Sequence, residues 1–499
     1  MRQCGILLHI SSLPSEYGIG NFGGSAYAFV DFLHDAGQSL WQILPLGMTG
    51  PGDSPYQSFS GFAGNPYFID PELLREDGLL SREYLRRHKV SGGETSVDYG
   101  RLYGTRYELL RYAYESFDPK EHGFIEFCEK NSAWLDPFAL FMTLKERENG
   151  VAVSKWQDKY KYRDKRAIKA FLEKDDNVRE LGFWKFLQYK FFGQYFALKK
   201  YASEAGVSII GDIPIYVAAD SVDVWESPEL FKVTPELSCE LAAGCPPDSF
   251  NSEGQFWGNP IYDWERMKLD GYTWWRRRFE WIAELYDYVR IDHFRGFSSY
   301  YAIPGNSKSA ADGEWLDGPG YDFFKTLSNT LSRVGIIAED LGFIDDKVKA
   351  LLSKCGYPGM KILEFGFDSD ASNEHLPHNY GKKCVAYTGT HDNPTFEAYF
   401  EALNDAERRF VKDYLDCESN VSATAVKRLY ASVADTVIIP LQDLLGLKAE
   451  GRMNTPSTES GNWKWRARAE DINTALAHNL SRMAALYGRL CDKRYYADV

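Results

Sequence analysis

The chain has 499 residues, 44% of them hydrophobic and 26% charged, proportions that exclude wholesale disorder and a fibrous architecture. Lys and Arg total 57 against 71 Asp and Glu, and the net charge of -14 repels polyanions, so neither nucleic acid nor an anionic membrane is expected as a partner. No window reaches the roughly 18 to 20 apolar residues of a membrane span, and MRQCGILLHI at the N-terminus is too short in apolar residues for a signal peptide. Eight cysteines without a CxxC pair point to reduced thiols in a cytoplasmic protein rather than to a zinc or redox motif. Aromatic residues make up 15%, more than most cores need; their faces stack on sugar rings, a hint of carbohydrate binding.

Short apolar runs of strand length recur along the chain, several ending in a polar residue and a turn signal. GILLHIS near residue 5 is followed by the helical pattern AYAFVDFLHDAG, and LWQILPLG lies near 40. From about 66 to 205 the sequence is helix-like, which predicts an inserted helical subdomain; its basic run Lys155 to Arg166 is expected as a solvated face. VSIIGDIPIY near 207 is the third strand. The excursion from about 218 to 286 contains CPPDSFNSEGQFWGNPIYDW, dense in Pro, Gly and aromatics, and is expected as an irregular shaped loop. DYVRIDHF near 287, GIIAEDLG near 335, MKILEFGF near 360, CVAYTGTHD near 384 and TVIIPLQDLL near 436 complete the set. Among them lie FKTLSNTLSRVG and DKVKALLSKCG, helical in period and each closing on Gly as a helix stop would.

Eight such runs alternating with helices predict an α/β fold, a (β/α)8 TIM barrel over residues 1–499 with the two insertions. A doubly wound open sheet is the alternative, but no GxGxxG follows the first strand.

A parallel barrel gathers the carboxyl ends of its strands at one mouth, and here those ends are acidic. Asp212 closes VSIIGD, Asp292 closes YVRID, Glu339 and Asp340 close GIIAED, and Asp392 follows YTGTH. Clustered carboxylates repel and raise one another's pKa values, which disfavours folding unless function requires it. Each acid could instead have an arginine partner, Arg290 or Arg295 in the case of Asp292. The pairs Asp292–His293 and His391–Asp392 offer a metal-site reading, opposed by the alternation of side chains along a strand and by the absence of HExxH and HxH spacings. No calcium-loop pattern is found, and no metal or cofactor is expected.

Glycosyl transfer with retention needs a carboxylate nucleophile and a carboxylic acid roughly 5 to 5.5 Å apart, which two neighbouring strands can supply. Asp292 beside Arg290 would be held ionised, while Glu339, with no adjacent cation, would keep a raised pKa and protonate the leaving oxygen. Asp392 would hydrogen-bond sugar hydroxyls and favour an oxocarbenium-like ring, with His391 and His293 as further hydroxyl partners.

With these residues in view, the chain resembles the 4-α-glucanotransferases of the amylomaltase, or disproportionating enzyme, family (glycoside hydrolase family 77, α-amylase clan). The resemblance runs through GILLHISSLPSEYGIGNFG, WQILPLG, SPYQSFSGFAGNPYFID, GDIPIYVAADSVDVW, GQFWGNPIYDW, VRIDHFRGF, AEDLG, GTHDNPT and MNTPSTESGNWKWR, in that order. It implies that Asp292 is the nucleophile, Glu339 the acid/base and Asp392 the transition-state stabiliser. It further implies that Arg290 orients the nucleophile, that His391 and Asp212 contact the donor sugar, that Tyr56 stacks on it, and that Trp257 belongs to the loop lining the acceptor side. The implied substrates are α-1,4-glucans and maltooligosaccharides, with glucose as acceptor or product. An α-amylase-type hydrolase shares the two acids and is the alternative; a non-catalytic glucan-binding protein would have lost one of the three, and all are present.

Overall fold

Each of the eight apolar runs forms a parallel strand in the computed structural model, which describes residues 2–50, 52–90, 95–247, 253–458 and 460–490. The strands are β1 (Gln3–Leu7), β2 (Leu40–Gln42), β3 (Ser208–Ile213), β4 (Tyr288–Ile291), β5 (Gly335–Ala338), β6 (Gly359–Ile362), β7 (Cys384–Tyr387) and β8 (Thr436–Pro440). They pair in the order β6-β7-β8-β1-β2-β3-β4-β5. The ring closes where the Ala338 N–H donates to the Pro358 carbonyl at 3.0 Å, giving a (β/α)8 barrel. Its strands are short and buried on both faces, as Val437, Ile438 and Ile439 of β8 show at 0% exposure, so their sequences read as apolar runs instead of alternating ones.

Helix Gly24–Asp35 connects β1 to β2. Helix Asp346–Cys355 connects β5 to β6; the Asp345 side chain caps its start, accepting the Val348 N–H, and Gly356 at φ +71° ends it. FKTLSNTLSRVG departs from expectation, forming two short helices, Gly320–Thr326 and Ser328–Leu331. Its glycine, Gly335, is no helix stop but the first residue of β5, where an added Cβ would lie 2.2 Å from Tyr288 Cδ1. Close packing against the neighbouring strand, not capping, requires that glycine.

Between β2 and β3 the longest elements are helices His122–Arg147 and Asp175–Glu204. They dock on the barrel through aromatic contacts: Trp134 and Phe192 sit 5.5 Å and 4.9 Å from Trp281, on the helix Thr273–Leu285 that leads into β4. Lys145 adds a salt bridge of 2.5 Å to Asp220 in the loop after β3. Much of the aromatic excess serves such packing, with Trp41, Trp225 and Trp275 almost fully buried. The run Lys155 to Arg166 lies largely exposed on and around the short helices Asp158–Lys161 and Lys165–Leu172.

The segment expected to be irregular instead supplies two strands, Leu241–Cys245 and Gln255–Pro260. They join Ser299–Pro304 and Glu314–Asp317, from beyond β4, in an antiparallel sheet. Local patterning could not reveal a pairing with strands so distant in the chain, and a bulge with Gly258 at φ +74° breaks the alternation. Phe250, in the aromatic-rich stretch CPPDSFNSEGQFWGNPIYDW, lies outside the described residues. Among the described residues no helix is long and apolar enough to cross a membrane.

Candidate active site

Asp212 and Arg290 are register partners on β3 and β4, and paired residues of parallel strands share a face. Here they form a buried ion pair, Arg290 Nη1 to Asp212 Oδ2 at 2.7 Å, with side-chain exposures of 4% and 0%. Two residues on from Arg290, and therefore on the same face, Asp292 receives its Nη2 at 3.0 Å while keeping 27% of its side chain exposed. The Tyr56 hydroxyl, from the segment after β2, donates to Asp212 Oδ2 at 3.0 Å. One guanidinium thus holds two carboxylates, one deep in the barrel and one at its opening.

Burial pushes Asp212 up to about 7 against the pull of Arg290. Burial also raises Asp292 above the ordinary carboxylate range; Arg290 opposes this and the Asp392 carboxylate adds to it. The sequence-based picture of Asp292 as a carboxylate governed by its arginine therefore captured the smaller of two opposing effects.

Ile291 pairs with Ala338, so Asp292 and Glu339 leave adjacent strands side by side, with strand axes roughly 5 Å apart. The ladder continues one step past the strands, the Glu339 N–H donating to the Ile291 carbonyl at 3.1 Å and the Asp292 N–H to that of Ile213 at 3.0 Å. Immediately after Asp292 the backbone turns sharply, His293 adopting φ +50°, a left-handed conformation uncommon outside glycine. That turn aims the His293 N–H at Glu339 Oε2, 2.6 Å away, and the Leu341 N–H binds Oε1 at 3.1 Å. Burial, reinforced by Asp292, still pushes Glu339 up to about 8, against Arg290 and the His293 N–H.

Asp392 and His391 lie in the turn beyond β7, where strand alternation no longer holds. Their side chains approach each other, His391 Nε2 to Asp392 Oδ1 at 3.4 Å, correcting the expectation that neighbours there face apart. The pair still recruits no third ligand: among the described residues no group of three or more His, Cys, Asp or Glu is arranged to hold a metal ion. Burial lowers His391 to about 4, so its imidazole is neutral at neutral pH. Its ring stacks on Tyr56 at 5.2 Å with the planes 16° apart, and Trp463 closes the cluster at 5.8 Å from Tyr56. Asp392, with 45% of its side chain exposed, accepts a 2.7 Å hydrogen bond from Asn454 Nδ2.

Trp257 lies on the outer strand Gln255–Pro260 of the antiparallel sheet, not on an irregular loop as expected. Its ring meets that of His293 edge-on at 4.8 Å, and its carbonyl accepts a 3.3 Å hydrogen bond from Gln57, next to Tyr56. Burial, with Arg295 adding to it, lowers His293 to about 3. The eight residues given a catalytic or substrate-binding role from the sequence therefore surround one mouth, whereas Asp340 accepts the Met360 N–H at 2.7 Å. Asn454 and Trp463 were missed; both sit in MNTPSTESGNWKWR, whose density of Asn and Trp was the available signal. Asp212 Oδ1 and His293 Nε2 are buried without a hydrogen-bond partner among the described residues.

The family model described as 4-alpha-glucanotransferase matches residues 8–472. The 4-alpha-glucanotransferase of Clostridium butyricum is 44% identical over 487 residues, covering 97% of this chain and 100% of that protein. That of Thermus thermophilus is 41% identical over 98% of this chain and 99% of its own. Among solved structures, the amylomaltase from Streptococcus agalactiae in complex with acarbose superposes with a TM-score of 0.95 at 41% identity, covering 98% of this chain and 100% of that one. By its sequence over nearly all its length and by the barrel it shares, the chain belongs to the 4-alpha-glucanotransferase family.

Proposed function

We propose that this chain transfers α-1,4-glucan segments with retention, using Asp292 as nucleophile, Glu339 as acid/base and Asp392 as stabiliser of the charged transition state. The observation that carries this reading is the contrast in contacts of two buried acids on adjacent strand ends: Asp292 bonds the Arg290 guanidinium at 3.0 Å, whereas Glu339, which burial pushes up to about 8, is held by the backbone N–H groups of His293 and Leu341. Asp292 attacks the anomeric carbon of the donor as the glycosidic bond breaks, and the proton of Glu339 goes to the departing oxygen. In the second half, Glu339 takes the proton of the acceptor's 4-hydroxyl, the new glycosidic bond forms, and Asp292 leaves as a carboxylate.

Arg290 orients Asp292. Asp212 and His391 contact donor hydroxyls, Asp212 Oδ1 having no hydrogen-bond partner among the described residues, and the Tyr56 face turned away from His391 is the one on which the donor sugar stacks. Trp257 lines the acceptor side. The whole chain acts as one catalytic barrel, the helical insertion bracing its rim, in the cytoplasm. Substrates are maltooligosaccharides and longer α-1,4-glucans, with glucose as acceptor or product.

Incubation with maltotriose tests the reading against hydrolysis. Transfer yields glucose together with longer maltodextrins at a constant number of reducing ends; a steady rise in reducing ends would identify a hydrolase.

A further inference from the structure

Phe343 is 72% exposed and Trp315 39%, two large aromatic side chains left partly in water. They come from different parts of the chain. Phe343 lies four residues beyond Glu339, in the segment whose Leu341 N–H binds Glu339 Oε1. Trp315 lies on Glu314–Asp317, an edge strand of the antiparallel sheet. Arg295, three residues beyond Asp292, joins them: its guanidinium carbon is 3.8 Å from the centroid of Trp315 and 5.7 Å from that of Phe343. Only 5% of the Arg295 side chain is exposed, and it is held by the Phe343 carbonyl, by Ser299 Oγ at 3.0 Å and by Asp345 at 3.7 Å. The rings are therefore braced before any ligand arrives, which lowers the entropy lost on binding.

The acid that protonates the departing oxygen faces the leaving and incoming sugars, so the surface continuing from Glu339 belongs to the acceptor side. The Tyr56–His391 stack, with Asp212 beneath it, belongs to the donor side. We propose that Phe343 and Trp315, braced by Arg295, form a stacking platform for an α-1,4-glucan acceptor, beyond the sugar that receives the transferred segment. This rests on the glucanotransferase reading above and adds to it a determinant of acceptor length. The Phe343 ring and the Trp315 face not covered by Arg295, with Asp345 close to the guanidinium, match the apolar faces and hydroxyl edges of consecutive glucose units.

Acceptor kinetics of the full-length protein test the platform, with maltotriose as donor and labelled glucose or maltohexaose as acceptor. Phe343→Ala and Trp315→Ala should each raise KM for maltohexaose about 3- to 10-fold while leaving glucose unchanged. Phe343→Trp should keep the wild-type preference. Variants with the wild-type ratio between the two acceptors would overturn the platform. Equal losses with both acceptors would overturn it too, because the ring would then act only by bracing the Glu339 segment. A wild-type enzyme that transfers to neither acceptor would overturn the function itself, an outcome readily told apart from a platform that fails alone.

Discussion

The floor and the rim of the barrel mouth are built on different principles. The floor, Asp212, Arg290, Asp292 and Glu339, stands on strand ends whose positions are set by a hydrogen-bonded ladder, and its side chains are locked by charge-assisted contacts of 2.7 and 3.0 Å. The rim, Tyr56, Trp257, His391, Asn454 and Trp463, is assembled from segments hundreds of residues apart and held by ring contacts and single hydrogen bonds. Bond breaking needs the first kind of precision, because a small displacement of nucleophile or acid costs orders of magnitude in rate. Choosing between water and sugar as the resolving group needs the second kind, a surface that binds glucan and excludes solvent.

Replacing Asp292 with Asn attacks the floor at its centre. The amide is nearly isosteric, so the fold and glucan binding persist, while turnover should fall by roughly four orders of magnitude or more. Substantial residual transfer from maltotriose, with binding intact, would remove Asp292 from the nucleophile role.

The floor also predicts a pH limb. Glu339 must carry its proton to start the reaction, and burial places its transition near 8, so kcat/KM should decline above about pH 8, by roughly tenfold per unit once well beyond it. A profile flat to pH 10 would assign the acid role elsewhere.

The rim gives the smallest effect. Trp257→Ala opens the surface next to His293 and should raise hydrolysis relative to transfer by about 2- to 10-fold, with total turnover changed little. An unchanged product ratio from maltotriose would separate Trp257 from acceptor selection and leave the floor untouched.

The barrel was legible because buried parallel strands are recorded locally: each of the eight apolar runs needs only its own residues to be recognised, and parallel topology brings their ends together without further information. Asp212, Arg290, Asp292 and Glu339 followed from that rule, since each lies at a known step on a strand. The antiparallel sheet was not legible, because Leu241–Cys245 finds its partner in Ser299–Pro304, across two barrel elements, and the bulge at Gly258 removes the alternation that would have announced a strand. Trp257 was assigned to the acceptor side through family resemblance, whereas its strand and its contact with His293 required the fold.

The amino-acid sequence by itself determined the barrel, the identity of the acids at its strand ends and the family, because strand burial, residue type and motif order are local properties. Tertiary structure alone decided which contacts set those acids apart. The φ of +50° at His293 turns a backbone N–H onto Glu339, Arg290 divides itself between Asp212 and Asp292, and burial raises Glu339 to about 8. Such effects depend on which groups become neighbours and how much water is excluded from them, and both arise only when the strands have closed into a ring.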